Sequence, residues 1–210
     1  LRPEMPWEGK TVQIKGGYRY NMASDIFEMW YWTWSCTIDE MYEGAPTFLC
    51  YATSRDGICW ERPELGAYKF EGSKKNNIVF ATKGDPWGVM VDPLESDPAR
   101  RFKLGLYHQP PGSPGANDPV ERREFMRSVI DQYGMHVCCS PDGINWSFQD
   151  KLLLGGAGDA GCVMFDLLRR GYVVTSRRYH NLADHFVLEW KKYRRVIAVA
   201  TSDDFVTWTP

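Results

Sequence analysis

The 210-residue chain is long enough to bury a substantial core, either as one domain or as a piece of a larger one. Its 25 basic and 27 acidic residues nearly balance and form no long charge run, so electrostatics implies neither a nucleic-acid nor a membrane-surface partner. Aromatic residues make up 14% of the chain, with nine Trp, a content that suits a β-rich core or a carbohydrate-binding surface. The sequence has no transmembrane run and no evident signal peptide, and its start at Leu1, without a Met, is compatible with a leader that was removed or never included.

Short strand-like segments alternate with turns in three successive units. The first unit contains TVQIK, FEMWYWTW and FLCYATS, at 11–15, 27–34 and 48–54. The second contains GVMVD, RFKLGLYHQ and MHVCCS, at 88–92, 101–109 and 135–140. The third contains CVMFD, GYVVTSRR and VIAVATS, at 162–166, 171–178 and 196–202. These segments are rich in aromatic or β-branched residues, which predicts β-strands.

Each unit ends in the same kind of corner. The three corners read SRDGICW, SPDGINW and SDDFVTW, at 54–60, 140–146 and 202–208, with six residues from Ser to Trp in each. Asp-Gly supplies the positive-φ residues of a tight hairpin, so the corner predicts a turn into a fourth strand. The tryptophans that end the three corners are Trp60, Trp146 and Trp208. They are expected to pack between sheets, and the corner is interpreted as structural.

Four consecutive antiparallel strands, repeated about a centre, are typical of a propeller blade. The sequence therefore predicts an all-β fold, a β-propeller of four-stranded antiparallel blades, with about three blades in a single region over 1–210. The approximate blades are 7–64, 84–150 and 158–210. Three blades form an open arc with two exposed end faces. We therefore expect either further blades beyond this sequence or a homodimer that closes a six-bladed ring.

An acidic residue is found near the start of the innermost strand in each unit. These residues are Glu8, Asp85 and Asp159. The start of this strand lies on the face opposite the corners, so the three acids are expected to ring the mouth of the central channel. A second Asp occurs seven residues after each of the last two acids. These residues, Asp92 and Asp166, are expected to bond nearby backbone or arginine side chains.

The ends of the second strands reach the same face and carry aromatic and cationic side chains. The candidate substrate-binding residues there are Trp32, Trp34, Tyr107, His108, Arg177, Arg178 and Tyr179. Two long insertions, at 108–134 and 179–195, are also expected on this face, with predicted helices over 119–132 and about 183–193. Long loops gathered on one face usually shape a site.

Acids that converge on a channel, with aromatic walls, suit glycoside hydrolysis by two carboxyl groups. One carboxylic acid protonates the leaving oxygen, and the other activates water or attacks carbon. Asp85 and Asp159 are the expected pair, with Glu8 third. A single Asp at the start of a strand also commonly caps a turn or pairs with Arg, so a non-catalytic glycan- or protein-binding propeller is the alternative.

The six cysteines do not form a CxxC pair, and several lie in apolar strand-like runs. The sequence favours buried free thiols, with a disulfide left open and no zinc site indicated. Cys138 and Cys139 are adjacent, so they are expected on opposite faces of a strand. The histidines are isolated in sequence, and neither a metal site nor a cofactor is expected.

Five segments resemble one group of known proteins. They are CYATSRDGICWERPELG, GSKKNNIVF, VDPLESDPARRFKLGLY, CSPDGINW and RRVIAVATSDDFVTW. Together they resemble bacterial proteins described as glycosyl hydrolase family 32-like or sialidase-like, which belong with the five-bladed β-propellers of the invertase and arabinanase type, families 32, 43, 62 and 68. The resemblance covers nearly the whole chain and implies a secreted or periplasmic, carbohydrate-active propeller.

The resemblance also implies a catalytic pattern, from which this chain departs. Enzymes of that type carry an Asp on the first blade, an Asp on the next and a Glu on the third. The corresponding positions here offer Glu8, Asp85 and Asp159, and the WMNDPNG and EC motifs of invertases are absent. The arginines and tyrosine at 177–179 only faintly resemble the arginine triad and tyrosine of sialidases.

Overall fold

The computed structural model describes residues 1–9, 11–37, 40, 45–82, 84–108, 132–158, 160–179 and 195–209, without the side chains of 150, 178, 179, 195 and 196. Within these ranges the chain forms twelve β-strands in three antiparallel sheets, and two single-turn 3-10 helices at Pro6–Glu8 and Pro98–Arg100. No helix in these ranges has the length and apolar character needed to cross a membrane. The two helices predicted in the long insertions fall outside the described residues.

The first sheet contains five strands. They are β1 (Thr11–Gln13), β2 (Tyr18–Asn21), β3 (Ile26–Trp34), β4 (Thr47–Ser54) and β5 (Ile78–Thr82). β1 and β2 pair with the two ends of β3, so together they form one interrupted inner strand. β4 and β5 follow in order. The outer strand therefore comes from β5, well after the predicted start at Trp60, which precedes only an isolated bridge between Glu61 and Thr53.

The second sheet follows the predicted order, and the third sheet follows it for its first three strands. The second contains β6 (Asp85–Val91), β7 (Phe102–His108), β8 (Gly134–Ser140) and β9 (Ser147–Gly155). The third contains β10 (Gly161–Asp166), β11 (Gly171–Tyr179) and β12 (Arg195–Ser202). A bridge from Thr201 to Thr209 marks the place of its fourth strand. We call the three sheets blades one, two and three.

The blades pack face to face through apolar cores. Between blades one and two the buried core consists of Trp30, Leu49, Tyr51, Val79, Phe102, Leu104, Leu106 and Cys138. Between blades two and three it includes Trp87, Met135, Val137, Cys139, Val163, Tyr172, Val174 and Phe205. Side chains alternate between the faces of a strand, which places the adjacent Cys138 and Cys139 in different cores, as predicted. All six cysteines are free thiols.

The chain is therefore an all-β, three-bladed section of a β-propeller. The innermost strands of blades one and two meet where the backbone N–H of Val89 donates to the carbonyl of Gly16, at 2.6 Å. This contact fixes the inner edges of the two blades at one distance.

The predicted corners share one hydrogen-bonding scheme. In the first, the Ser54 hydroxyl accepts from the backbone N–H of Gly57, at 2.9 Å. One carboxylate oxygen of Asp56 accepts from the backbone N–H groups of Ile58 and Cys59, at 2.8 and 2.7 Å. The second corner repeats these bonds, and the third repeats the bonds to its Asp. Gly57, Gly143 and Phe205 all have positive φ, of 72°, 79° and 62°.

The two ends of the arc differ. The outer face of blade one is covered by the chain's own N-terminal segment and by the loop before β5. Its buried cluster includes Trp7, Met29, Tyr31, Phe48, Cys50, Ala52 and Ile78, with Tyr68 and Phe70 packed against it. On the outer face of blade three, apolar side chains of the described strands are exposed instead. Its β12 side chains Ile197 and Val199 are 79% and 53% exposed, and Met164 on β10 is 45% exposed.

Candidate functional site

A packed glycine marks the start of the inner strand in each blade. These glycines are Gly9, Gly84 and Gly158. A Cβ atom on them would lie 2.3, 1.8 and 2.5 Å from the carbonyl oxygens of Trp34, Tyr107 and Arg177, respectively. These distances are shorter than any van der Waals contact, so only glycine fits. The three positions are structurally equivalent and give a reference point for comparing the blades.

Aligning the three blades on their packed glycines changes which residue of blade one corresponds to Asp85 and Asp159. In the sequence, Asp85 and Asp159 directly follow the packed glycine, whereas Glu8 precedes Gly9. The residue that corresponds to the two aspartates is therefore Lys10. Both Lys10 and Asp159 lie outside the described residues.

Glu8 lies away from Asp85, in the covered face of blade one. It is fully buried and accepts hydrogen bonds from the Tyr31 hydroxyl at 2.6 Å and from Nε of Arg62 at 2.7 Å. Burial alone would raise the pKa of Glu8, but these bonds and two backbone N–H donors outweigh it and hold the pKa below its ordinary value. Tyr31 and Trp32 are adjacent in β3 and point to opposite faces, so Glu8 and the Trp32 side are separated by the sheet.

Asp85 lies between blades one and two, against Lys15, which is not among the predicted site residues. Nζ of Lys15 donates to Oδ2 of Asp85 at 3.0 Å, and the two side chains are 32% and 17% exposed. The same Nζ lies 4.4 Å from the centre of the Trp32 ring. A carboxylate, a cation and an aromatic face are thus assembled from two blades.

The break in the inner strand of blade one positions Lys15. β1 ends at Gln13 and β2 begins at Tyr18. Between them, Gly16 leaves room for Trp30, whose Cβ would otherwise lie 2.6 Å from a Cβ at position 16. The sequence carries a signal for this break, because Lys15 directly precedes Gly16 and Gly17, and two successive glycines indicate an interruption of a strand. No local signal identifies Asp85, in the next blade, as the partner of Lys15.

The pKa of Asp85 is raised above its ordinary value. Burial is the main cause, and the positive charges of Lys15 and Arg177 oppose part of the rise. Arg177 comes from β11 of blade three, so all three blades act on this carboxyl group. Such a group can exchange protons closer to neutral pH than an exposed aspartate.

The predicted substrate-binding residues differ in how far they are buried. Trp34 is half-buried and its ring lies 4.6 Å from that of Trp32, which is itself only 3% exposed. Tyr107 is buried and makes an edge contact with Tyr133. His108 is half-buried and contacts the rings of His136 and Phe148. Trp34, His108 and Arg177 therefore offer accessible surface, and the side chains of Arg178 and Tyr179 lie outside the described part.

Asp166 makes the predicted local contacts, whereas Asp92 also bonds side chains of two other strands, neither of them an arginine. Asp92 accepts from the backbone N–H of Leu94, from the Tyr172 hydroxyl at 2.8 Å and from the ammonium group of Lys103. Asp166 accepts from two backbone N–H groups in the turn after β10. Neither belongs to the group around Asp85. In the described part of the chain no cluster of His, Cys, Asp and Glu is arranged to hold a metal ion.

No protein-family model matches the chain, and neither does any curated protein. Solved structures do match. A β-fructofuranosidase from Schwanniomyces occidentalis, complexed with fructosyl-erythritol, aligns over 100% of this chain and 34% of its own, with 10% identity and a TM-score of 0.60. An N-acetylgalactosamine deacetylase from F. plautii, in complex with blood group B trisaccharide, aligns over 91% of this chain and 49% of its own, with 14% identity and a TM-score of 0.54.

A third structure, described as a glycoside hydrolase, aligns over 100% of this chain and 58% of its own, with 12% identity and a TM-score of 0.51. The chain thus spans about a third to somewhat over half of the proteins it matches. At these identities the likeness establishes the fold alone, which agrees with the β-propeller predicted from the sequence.

Proposed function

We propose that this chain is part of a carbohydrate-active propeller that hydrolyses glycosidic bonds with two carboxyl groups, Asp85 and Asp159. The observation that carries the proposal is Asp85 itself. It is a mostly buried carboxyl with a raised pKa, at the start of an inner strand, with charged groups from both neighbouring blades around it. Perturbed acids in such positions are characteristic of catalytic sites.

Asp159 is the proposed partner because it follows a packed glycine just as Asp85 does. Trp34 is the proposed sugar-stacking ring, since it is the more accessible of the two adjacent tryptophans. Trp32 would support it from below and orient Lys15. Glu8 is not part of the proposed pair, because its carboxylate is already fully used by Tyr31, Arg62 and backbone donors.

The test is a screen of aryl glycosides and plant or algal polysaccharides, with Asp85→Asn and Asp159→Asn as matched variants. We expect each variant to lose hydrolysis by at least about a hundredfold while its melting temperature stays near that of the parent chain. Glu8→Gln serves as the contrast, with a large loss of stability. Hydrolysis that persists in Asp85→Asn would overturn the proposal.

One observation favours a second function, a glycan-binding propeller without catalysis. Asp85 is engaged with Lys15 at 3.0 Å, as expected of an acid with a structural or binding role. In that case Asp85→Asn would weaken binding of oligosaccharides, measured by calorimetry, and no glycoside would be hydrolysed.

A carbohydrate partner follows from either function, and a homodimer is a further proposal. The covered face of blade one leaves no open sheet there for ring closure. The exposed β10 and β12 side chains of blade three are therefore the proposed contact surface for a second copy.

A further inference from the structure

We propose that Lys15 is the positioning residue that keeps the Asp85 carboxylate ionised, so that Asp85 works as the base or nucleophile and the proton donor is another carboxyl at the mouth. This inference rests on the proposed function of the same site. It gives the two proposed carboxyl groups different roles, and it makes a residue of blade one part of the chemistry of blade two.

The geometry fixes Lys15 from two directions. Its Nζ donates to Oδ2 of Asp85 at 3.0 Å and lies 4.4 Å from the centre of the Trp32 ring. Trp32 is 3% exposed and held in the middle of the sheet by pairing with Gln13 and Leu49. The ammonium group therefore lies between a buried aromatic face and the carboxylate.

The charges around Asp85 come from both neighbouring blades. Lys15 faces it from blade one, and Arg177 acts on it from blade three. Glu8, the acid nearest in sequence to the first inner strand, lies on the other side of the blade-one sheet. Lys15 makes direct contact with the carboxylate and opposes its protonation more strongly than Arg177 does. Its removal would leave burial, which favours the protonated acid, opposed by the guanidinium of Arg177.

The ionised form decides what Asp85 can do. As a base it takes one proton from water while the water oxygen bonds to the anomeric carbon. The glycosidic carbon–oxygen bond breaks, and the second carboxyl gives its proton to the leaving oxygen. One water is consumed and no redox partner is needed. A protonated Asp85 could not begin this step, so the charge of Lys15 would control the acidic limb of the pH profile.

The experiment is an NMR titration of the Asp85 carboxyl carbon in the free protein, assigned by its loss in Asp85→Asn. We expect Lys15→Met to raise the pKa of Asp85 by about one to two units. Lys15→Arg retains the charge and should leave the pKa close to that of the parent. Lys151→Met removes an exposed lysine of β9 and should change nothing. With a hydrolysed glycoside in hand, the acidic limb of kcat/KM should shift in parallel.

A pKa of Asp85 that stays within about 0.3 units in Lys15→Met would overturn the proposal, even where Asp85→Asn abolishes hydrolysis and the proposed function holds. A fall in melting temperature without a pKa shift would mean that Lys15 only joins the blades. Should Lys15→Met fail to fold, the salt dependence of the pKa of Asp85 in the parent protein provides the test. Raising the ionic strength screens a partly exposed pair, so the pKa of Asp85 must rise with salt.

Discussion

Replacing Gly143 by alanine would test whether the second corner, at 140–146, packs against Trp30 of blade one. Gly143 has a φ of 79°, where an L-residue costs about 1 to 2 kcal/mol more than glycine. A Cβ at this position would lie 2.6 Å from Cζ2 of Trp30 and 3.1 Å from Cδ1 of Phe102. Both rings are buried, and forcing them apart costs about 1 to 3 kcal/mol. We therefore expect Gly143→Ala to lower the free energy of unfolding by about 2 to 5 kcal/mol.

Gly57 provides a matched control in the first corner. Its φ is 72°, but the atom nearest to a Cβ at this position would be Cε2 of Phe27 at 3.7 Å, an ordinary contact. Gly57→Ala therefore carries only the backbone cost of about 1 to 2 kcal/mol. Among the described residues, the atoms nearest to this position belong to Phe27 of the same blade rather than to another blade. The difference between the two variants measures the contact between blades one and two.

The assay is urea unfolding followed by tryptophan fluorescence, with the unfolding free energies of both variants compared at equal slope. Equal losses at Gly57 and Gly143 would refute the claim that Trp30 fills the second corner. A double-mutant cycle with Trp30→Leu sharpens the test. The indole Nε1 of Trp30 also donates to the carbonyl of Gly143 at 2.7 Å, so the two substitutions should be coupled rather than additive.

Three further predictions concern the buried Glu8–Arg62 ion pair, the aspartates of two corners and the proposed dimer surface. Glu8→Gln should destabilise the chain by about 3 kcal/mol, because it leaves the buried guanidinium of Arg62 with only the exposed carboxylate of Glu4 as a charge partner, and unfolding in urea measures this. Hydrogen bonds from backbone N–H groups lower the pKa of Asp56 and of Asp204 to about 2, so the stability they contribute is present above about pH 4 and lost as the pH falls through 2. Far-UV circular dichroism during acid titration would show this loss of stability, and Asp56→Asn should make the loss smaller. Ile197→Lys should reduce the light-scattering mass of a dimer to about that of the 24.2 kDa chain, and a parent chain already at that mass would contradict the dimer.

Local sequence patterns predicted most of the blade architecture because strands and corners depend on neighbouring residues. Nine predicted segments lie within one to three residues of observed strands, and the positive φ of the Asp-Gly corners was expected from glycine. The fourth strand of blade one was misplaced, because the loop at 62–77 separates Trp60 from β5. Nothing in local periodicity indicates that such a loop folds back over its own sheet.

The third corner shows why a missing glycine was still compatible with the repeat. Phe205 adopts a φ of 62°, and the ammonium group of Lys103 lies 5.1 Å from the centre of its ring. Lys103 stands four residues before Tyr107, as Trp30 stands four residues before Trp34. A lysine in the preceding blade leaves room for a ring, where a tryptophan requires a glycine. The corner residue thus depends on the preceding blade, which no single unit of the sequence reveals.

The candidate site was only partly predictable, for the same reason. Asp85 was selected from its place at the start of a strand, whereas Glu8 was matched to it by counting residues rather than by the packed glycine. Lys15 was not among the predicted site residues. Its contact crosses from one blade to the next, and the register between blades is set by packing at Gly16 and Val89.

The charges that act on Asp85 come from both neighbouring blades. If Lys15 and Arg177 determine its ionisation, then the site belongs to the assembled arc rather than to blade two. Gly143→Ala changes no group near Asp85 in sequence, yet it disturbs the packing that holds blade one against blade two. A variant that folds with a displaced first blade should therefore lose part of the Lys15 contact and raise the pKa of Asp85. The same NMR titration would detect that rise, and an unchanged pKa would show that the inner strands hold their register without the corner.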